Sequence, residues 1–376
     1  MKILHIIERF YPIIGGTEMQ ALQLIQKLKA RGVNIEVLTR NIGSSLSSSE
    51  VVKGIFVSRV GPIGLSGGLN KVKFAWNVYK FVKKNDSDIL HVHSIYSLFG
   101  ISCILTGKKV IGKITNSIGT REQNKLAKIL KCFILKKINK IVAVSNQTKL
   151  EMEKIGFSNS QLFFIPNGVD IDQFKRLNNF EKTILRKKLN LPLTKLIATF
   201  SGRLVKQKGL DVLLKAINEV IKEFPDFHLI ISGAGELQDN SEENVLKQFV
   251  SENNLGTSVT FIGNVYNWVD YLNASDFFFF PSRWEGLPNA LLEAAACGLP
   301  IIASNIGGNV DIIKDSYNGL LFESENSKEL AEKIIYLIKN KNLQQELGDN
   351  ARKTVIKNFS FEFITKKYLE IYSSLS

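Results

Sequence analysis

The chain has 376 residues, 44% of them apolar, and no apolar run reaches the roughly 20 residues that a membrane-spanning helix needs. It therefore reads as a globular protein long enough for two domains. The formal charge of +14 is unevenly placed: residues 1–178 hold 27 Lys+Arg against 11 Asp+Glu (+16), and residues 179–376 hold 22 against 24 (−2). Cys103, Cys132 and Cys297 stand far apart in apolar surroundings, which excludes a disulfide framework and any cysteine spacing for metal.

Short apolar runs alternate with helical patterns along the whole chain. In the first half Ile3–Ile7, Ile35–Thr39, Ile89–His93, Val110–Ile114 and Ile141–Val144 are predicted strands. In the second half they are Leu196–Ser201, His228–Ser232, Val259–Ile262, Phe277–Phe280, Pro300–Ala303 and Leu320–Phe322. This alternation predicts parallel sheets wrapped by helices, an α/β architecture of two successive sets of βα units. Met1–Ile7 opens directly as a strand with no signal-peptide pattern, so a cytoplasmic location is expected. Ser44–Ser49 reads as a flexible loop, and the division between the halves falls in Pro166–Phe174, where proline, glycine and asparagine interrupt all periodicity. Lys71–Lys84 and Lys125–Lys137 are basic amphipathic helices, the pattern of segments that lie on a membrane surface. With the one-sided charge, they point to an anionic membrane leaflet rather than nucleic acid as partner.

The glycines and cations at strand ends supply the candidate chemistry. Gly15-Gly16 follows the first strand and opens a helix, where the backbone can approach a phosphate or a sugar. Gly202-Arg203 leaves Leu196–Ser201, and Lys208-Gly209 precedes the next helix; a bidentate guanidinium and a point-charge ammonium five positions apart suit a diphosphate. Gly233 and Gly263 repeat the glycine at the carboxyl ends of the two following strands, and doubly wound sheets bind ligands at that edge. His91 and His93 alternate on one strand and so point the same way, but no third ligand stands at a recognisable spacing; they read as a strand-end polar pair rather than a metal pair. Asp86/Asp88 and Asp170/Asp172 read as turn and capping residues.

The segment Asp276–Ser304 says the most. A strand, a loop over Pro281–Pro288 and an Ala/Leu helix over Asn289–Cys297, ended by Gly298, set Glu285 in the loop and Glu293 two turns later. The helix start offers backbone N–H donors and the positive end of its dipole.

Taken together and in order, Gly15-Gly16, Ile165–Asp170, Arg203 with Lys208, Glu285 to Glu293 and Gly307-Gly308 resemble the family 4 retaining glycosyltransferases of the GT-B fold. The resemblance implies two Rossmann-like doubly wound domains facing an interdomain cleft. Residues 1–170 would bind the acceptor, with 358–376 packing back on them, and 171–357 would bind the nucleotide-sugar donor. Arg203 and Lys208 would hold the donor diphosphate and steady the leaving group, and Glu293 the ribose. Glu285 would lie by the sugar, with the backbone of Gly286, Leu287, Pro288 and Asn289 as its loop neighbours. Gly202 and Gly233 would be among the donor-binding residues, Asn264 and Val265 would flank the base, and Gly16 would approach the phosphate or the acceptor from the opposite domain.

Many members carry a histidine after the strand matching Val110–Ile114. This chain has none there, which leaves Lys113, Asn116 and Ser117, with Gly15 and His93, as acceptor or sugar contacts. The resemblance implies a hexose-type transfer, from UDP more than GDP, to a glycan or polyprenyl-linked acceptor at the inner membrane face, with no cofactor and no metal. The alternatives are a GT-B-like sugar-nucleotide epimerase or phosphorylase, and a nucleic-acid-binding protein using the basic half.

Overall fold

Strand β1, Lys2–Ile7, shows how the first sheet is covered on both sides. Successive side chains alternate along a strand, so Ile3 and Ile7 join one apolar layer while Leu4 and Ile6 join the opposite one. The computed structural model describes residues 1–12, 15–43, 46–61, 68–115, 133–235 and 241–375. The chain divides into Met1–Gly168 with Phe361–Ser376 as one unit and Val169–Ser360 as the other.

In the first unit β1 is followed by β2 (Asn34–Arg40), β3 (Ser49–Val52), β4 (Ile55–Val60), β5 (Ile89–Val92), β6 (Lys109–Ile114), β7 (Lys140–Ala143) and β8 (Leu162–Phe164). Their spatial order is β3-β4-β2-β1-β5-β6-β7-β8, parallel except for β3 against β4. Helix Gly16–Lys29 and the last helix, Phe361–Ser373, cover the Ile3/Ile7 face. Helix Gly68–Lys84 covers the other face with Phe74, Val78 and Val82, a stripe at helical spacing. It leaves Leu69, Val72 and Trp76 exposed.

The second unit holds β9 (Leu196–Ser201), β10 (Phe227–Ser232), β11 (Val259–Gly263), β12 (Phe277–Phe280), β13 (Ile301–Ser304) and β14 (Leu320–Phe322), ordered β11-β10-β9-β12-β13-β14 and parallel throughout. Phe277 and Phe279 stack with Phe227 on one face, and Phe278 and Phe280 share the other, where Phe200 lies beside Phe280. No helix among the described residues is long and apolar enough to cross a membrane.

Phe361 opens the last helix at 3% exposure. A Cβ on Gly168 would stand 2.6 Å from its ring. We expect Phe361→Ala to lower the stability of the first unit by about 3–5 kcal/mol, the usual cost of truncating a buried phenylalanine. Hydrogen exchange would register it as lost protection in β1 and β5, and unchanged protection there would contradict this account of the helix.

Candidate active site

Both sheets reverse their winding at one place, between β1 and β5 in the first and between β9 and β12 in the second. Loops leaving the carboxyl ends of strands on either side of such a point diverge and leave a crevice. In the second unit these loops are Gly202–Gly209 after β9 and Pro281–Pro288 after β12.

The two loops are fastened to each other. Gly209, at φ +64°, lies so close to Pro281 that a Cβ would come within 2.1 Å of its carbonyl oxygen. The Arg283 N–H donates to the Gln207 carbonyl at 2.8 Å, and Gln207 Nε2 donates to the Trp284 carbonyl at 2.8 Å. Arg283 itself is engaged by both carboxylate oxygens of Asp211 and by Glu325. On the far side of the Glu285 loop, Gly308 presses on the carbonyls of Gly286 and Glu285, leaving no room for a side chain.

This framing brings Lys208 and Glu285, 77 positions apart, into an ion pair of 2.5 Å, with side chains only 13% and 9% exposed. The ammonium also lies 5.2 Å from the centre of the Phe280 ring. Arg203, exposed on the same β9 loop, donates to Gln207 Oε1 at 3.1 Å. Gly202 and Gly233 meet backbone to backbone: Gly233, at φ +133°, would place a Cβ 1.9 Å from the Gly202 carbonyl oxygen. The ladder continues past the strand ends, from Gly202 N to Ser232 O and from Gly233 N to Gly263 O. Asn264 and Val265 follow directly, Asn264 exposed.

Helix Asn289–Ala296 begins at Pro288 with no side-chain cap, so the backbone donors of its first turn have no capping oxygen from that residue. Glu293, half-buried on this helix, accepts from Trp268 Nε1 at 3.0 Å. Burial raises its carboxyl to about pKa 7, opposed by that hydrogen bond.

Among the first-unit candidates, Gly15 and Gly16 lie exposed at the start of helix Gly16–Lys29. Lys113 is buried, its ammonium 3.1 Å from Asn167 Oδ1 and its pKa lowered by burial to about 8. Asn116 and Ser117 lie outside the described residues, as do residues 125–132 of the second basic helix.

His93 follows β5 and is buried, but not as one of a two-membered polar pair. His5, from the register position opposite His91, joins them, and ring nitrogens of all three lie within 4.8 Å of one another. His5 Nδ1 bonds His93 Nε2 at 2.9 Å, and Tyr372 OH from the last helix bonds His91 Nδ1 at 2.7 Å and His5 Nε2 at 3.3 Å. Burial, then the Lys113 charge, lowers His5 to about pKa 3, and His91 and His93 are lowered as well. Neutral imidazoles suit a transition metal. Both His5 nitrogens take part in hydrogen bonds, whereas His91 Nε2 is buried with no hydrogen-bond partner among the described residues.

Sequence reading missed Gln207, Trp268, Trp284, His5 and Tyr372. Gln207 had a signal, since it stands between Arg203 and Lys208; the others act across distances that no local spacing reports.

Residues 181–354 match the family described as Glycosyl transferases group 1, and residues 14–173 match Glycosyltransferase Family 4. The UDP-Gal:alpha-D-GlcNAc-diphosphoundecaprenol alpha-1,3-galactosyltransferase of Escherichia coli is 26% identical, over 99% of this chain and 96% of its own. Among solved structures, the sucrose-phosphate synthase of Thermosynechococcus elongatus superposes with a TM-score of 0.86 at 22% identity, covering 100% of this chain and 98% of that one. Anabaena HepE in complex with UDP and glucose gives 0.82 at 19% identity, covering 100% of both chains. At these identities the two structures establish the fold, that of the GT-B glycosyltransferases.

The raised Glu293 carboxyl has a consequence for stability. The folded state holds its proton up to about pH 7 while the unfolded chain releases it near 4.5. Stability is therefore favoured below that window and lost as pH rises through it. We expect Glu293→Gln, which keeps an acceptor for Trp268, to raise the ligand-free Tm by a few degrees at pH 8. The gain should shrink towards zero as pH falls to 5. Thermal scans across this range would show it, and a gain independent of pH would contradict the assignment.

Proposed function

The chain belongs to the family 4 glycosyltransferases, and from that premise we propose that it transfers a hexose-type sugar, with retention of configuration, from a nucleotide diphosphate sugar. The donor we favour carries UDP rather than GDP. The acceptor is a glycan or polyprenyl-linked sugar in cell-surface polysaccharide synthesis. The observation that carries this reading is the meeting of Lys208 and Glu285 at the reversal point of the second sheet, with Arg203 on the same loop. The Escherichia coli relative, named for UDP-Gal and a diphosphoundecaprenol-linked acceptor, supports both the uridine nucleotide and the lipid carrier.

In this reading Arg203 and Lys208 take the charge that develops on the departing diphosphate, so the chain requires no divalent cation of its own. Glu293 receives the ribose hydroxyls, and Asn264 and Val265 flank the base. Gly202 and Gly233 keep the phosphate side clear of side chains. Glu285 and the loop Gly286–Asn289 hold the sugar. Rate acceleration then comes mainly from positioning and from charges fixed before the oxocarbenium-like state forms. The first unit serves the acceptor, with Gly15 and Gly16 exposed at the start of helix Gly16–Lys29.

We also propose that the first unit rests on the anionic inner face of a membrane. Helix Gly68–Lys84 supports this with exposed Leu69, Val72 and Trp76 among exposed Lys71, Lys73, Lys80, Lys83 and Lys84.

Thermal shift against a panel of nucleotide sugars tests the donor, since a ligand that binds only the folded state raises Tm by mass action. A UDP-sugar should give the largest rise, and a flat panel would defeat the reading. Arg203→Ala and Lys208→Ala should each lower transfer by about 10²–10³-fold, the scale for removing one charge-stabilising group. For the membrane, sedimentation with phosphatidylglycerol vesicles but not phosphatidylcholine vesicles is expected, weakened by Trp76→Ala. Equal binding to both vesicle types would count against a charged surface.

A further inference from the structure

Two partners compete for Lys208. Its ammonium faces Glu285 at 2.5 Å, and both side chains are largely stripped of water. Yet it is also the cation placed to meet the donor diphosphate. A partly buried pair is costly to split, because removing one charge leaves the other desolvated and uncompensated.

Glu285 has no easy alternative. Gly308 presses on its loop from one side, and Gln207 ties Trp284, the residue before it, from the other. The neighbouring cation Arg283 is held by Asp211 and Glu325. Lys208 is equally fixed, between the turn closed by Gly209 and the face of Phe280. Binding a diphosphate must therefore exchange partners with little movement of either loop, and it sets a second anion beside the abandoned carboxylate.

We infer that Glu285 makes the protein discriminate between the intact nucleotide sugar and the bare nucleoside diphosphate. This rests on the donor site proposed above. With the sugar present, its hydroxyls donate to the carboxylate that Lys208 has released. With the sugar gone, nothing does, and the return of Glu285 to Lys208 helps to expel the nucleoside diphosphate. One residue thus favours substrate capture and product release.

Calorimetric titration of the full chain with UDP, UDP-glucose, GDP and GDP-mannose tests this. Wild type would be compared with Glu285→Gln, Lys208→Met and the double variant, each checked for an intact thermal transition. For the pair that binds, Glu285→Gln should bind the nucleoside diphosphate about tenfold more tightly, and the preference for the sugar-bearing form should fall by about the same factor. In the Lys208→Met background the second substitution should change nucleoside diphosphate affinity by a smaller factor than in wild type, because no pair remains to break and only the repulsion between carboxylate and diphosphate is relieved. Glu285→Ala supplies the same measurement should the glutamine variant not fold. Nucleoside diphosphate affinity that is unchanged or weaker in a folded Glu285 variant would overturn the exchange and leave the donor site standing. Failure of wild type to bind any of the four would overturn both.

Discussion

Everything at the second sheet's reversal point depends on one backbone contact, Gly209 against the carbonyl of Pro281. Strands β9 and β12 are neighbours in the sheet, but the loops leaving them would splay apart if each followed its own helix. A glycine in the left-handed region removes the Cβ that would hold them apart, and Gln207 and Arg283 then close the seam with hydrogen bonds. Only within that seam can a lysine and a glutamate 77 positions apart form one ion pair. The charges are therefore positioned by the absence of side chains around them, at Gly202, Gly209 and Gly308.

The segment after β12 also places one residue type in two surroundings. Glu285 is matched to a cation, whereas Glu293, eight positions later, is matched to the neutral N–H of an indole. The first faces a fixed ammonium at 2.5 Å. The second is held close to its neutral form by burial. Groups whose environments separate them in this way can do different work in one pocket, and here the division runs along a single loop and helix.

The main strands were legible because buried parallel strands are continuous apolar runs, as Phe277–Phe280 illustrates. The hairpin Ser49–Val52 with Ile55–Val60 was not, since its edge strand is short and mostly exposed and the sequence around it is rich in serine. Leu162–Phe164 escaped for its length of three residues. At the site, the chemistry of Arg203, Lys208, Glu285 and Glu293 could be read from residue types, but not their partners. Lys208 with Glu285, Trp268 with Glu293 and His5 with His93 join residues separated by 77, 25 and 88 positions. Such pairings are decided by strand order, which a linear pattern does not encode.

The placement of helix Phe361–Ser373 in the first unit has a bearing on how the protein is made. Its Phe361, Ile364, Tyr368, Ile371 and Tyr372 complete the layer beneath β1, and Tyr372 occupies the histidine cluster. A ribosome delivers this helix only after all of Val169–Ser360 has emerged. The first 168 residues must wait, one sheet face covered by helix Gly16–Lys29 alone and the histidine cluster lacking its phenol, while the later unit already has its whole chain in hand. The order of maturation therefore runs against the order of synthesis, and the growing chain is most prone to aggregate on the side that its last residues will cover.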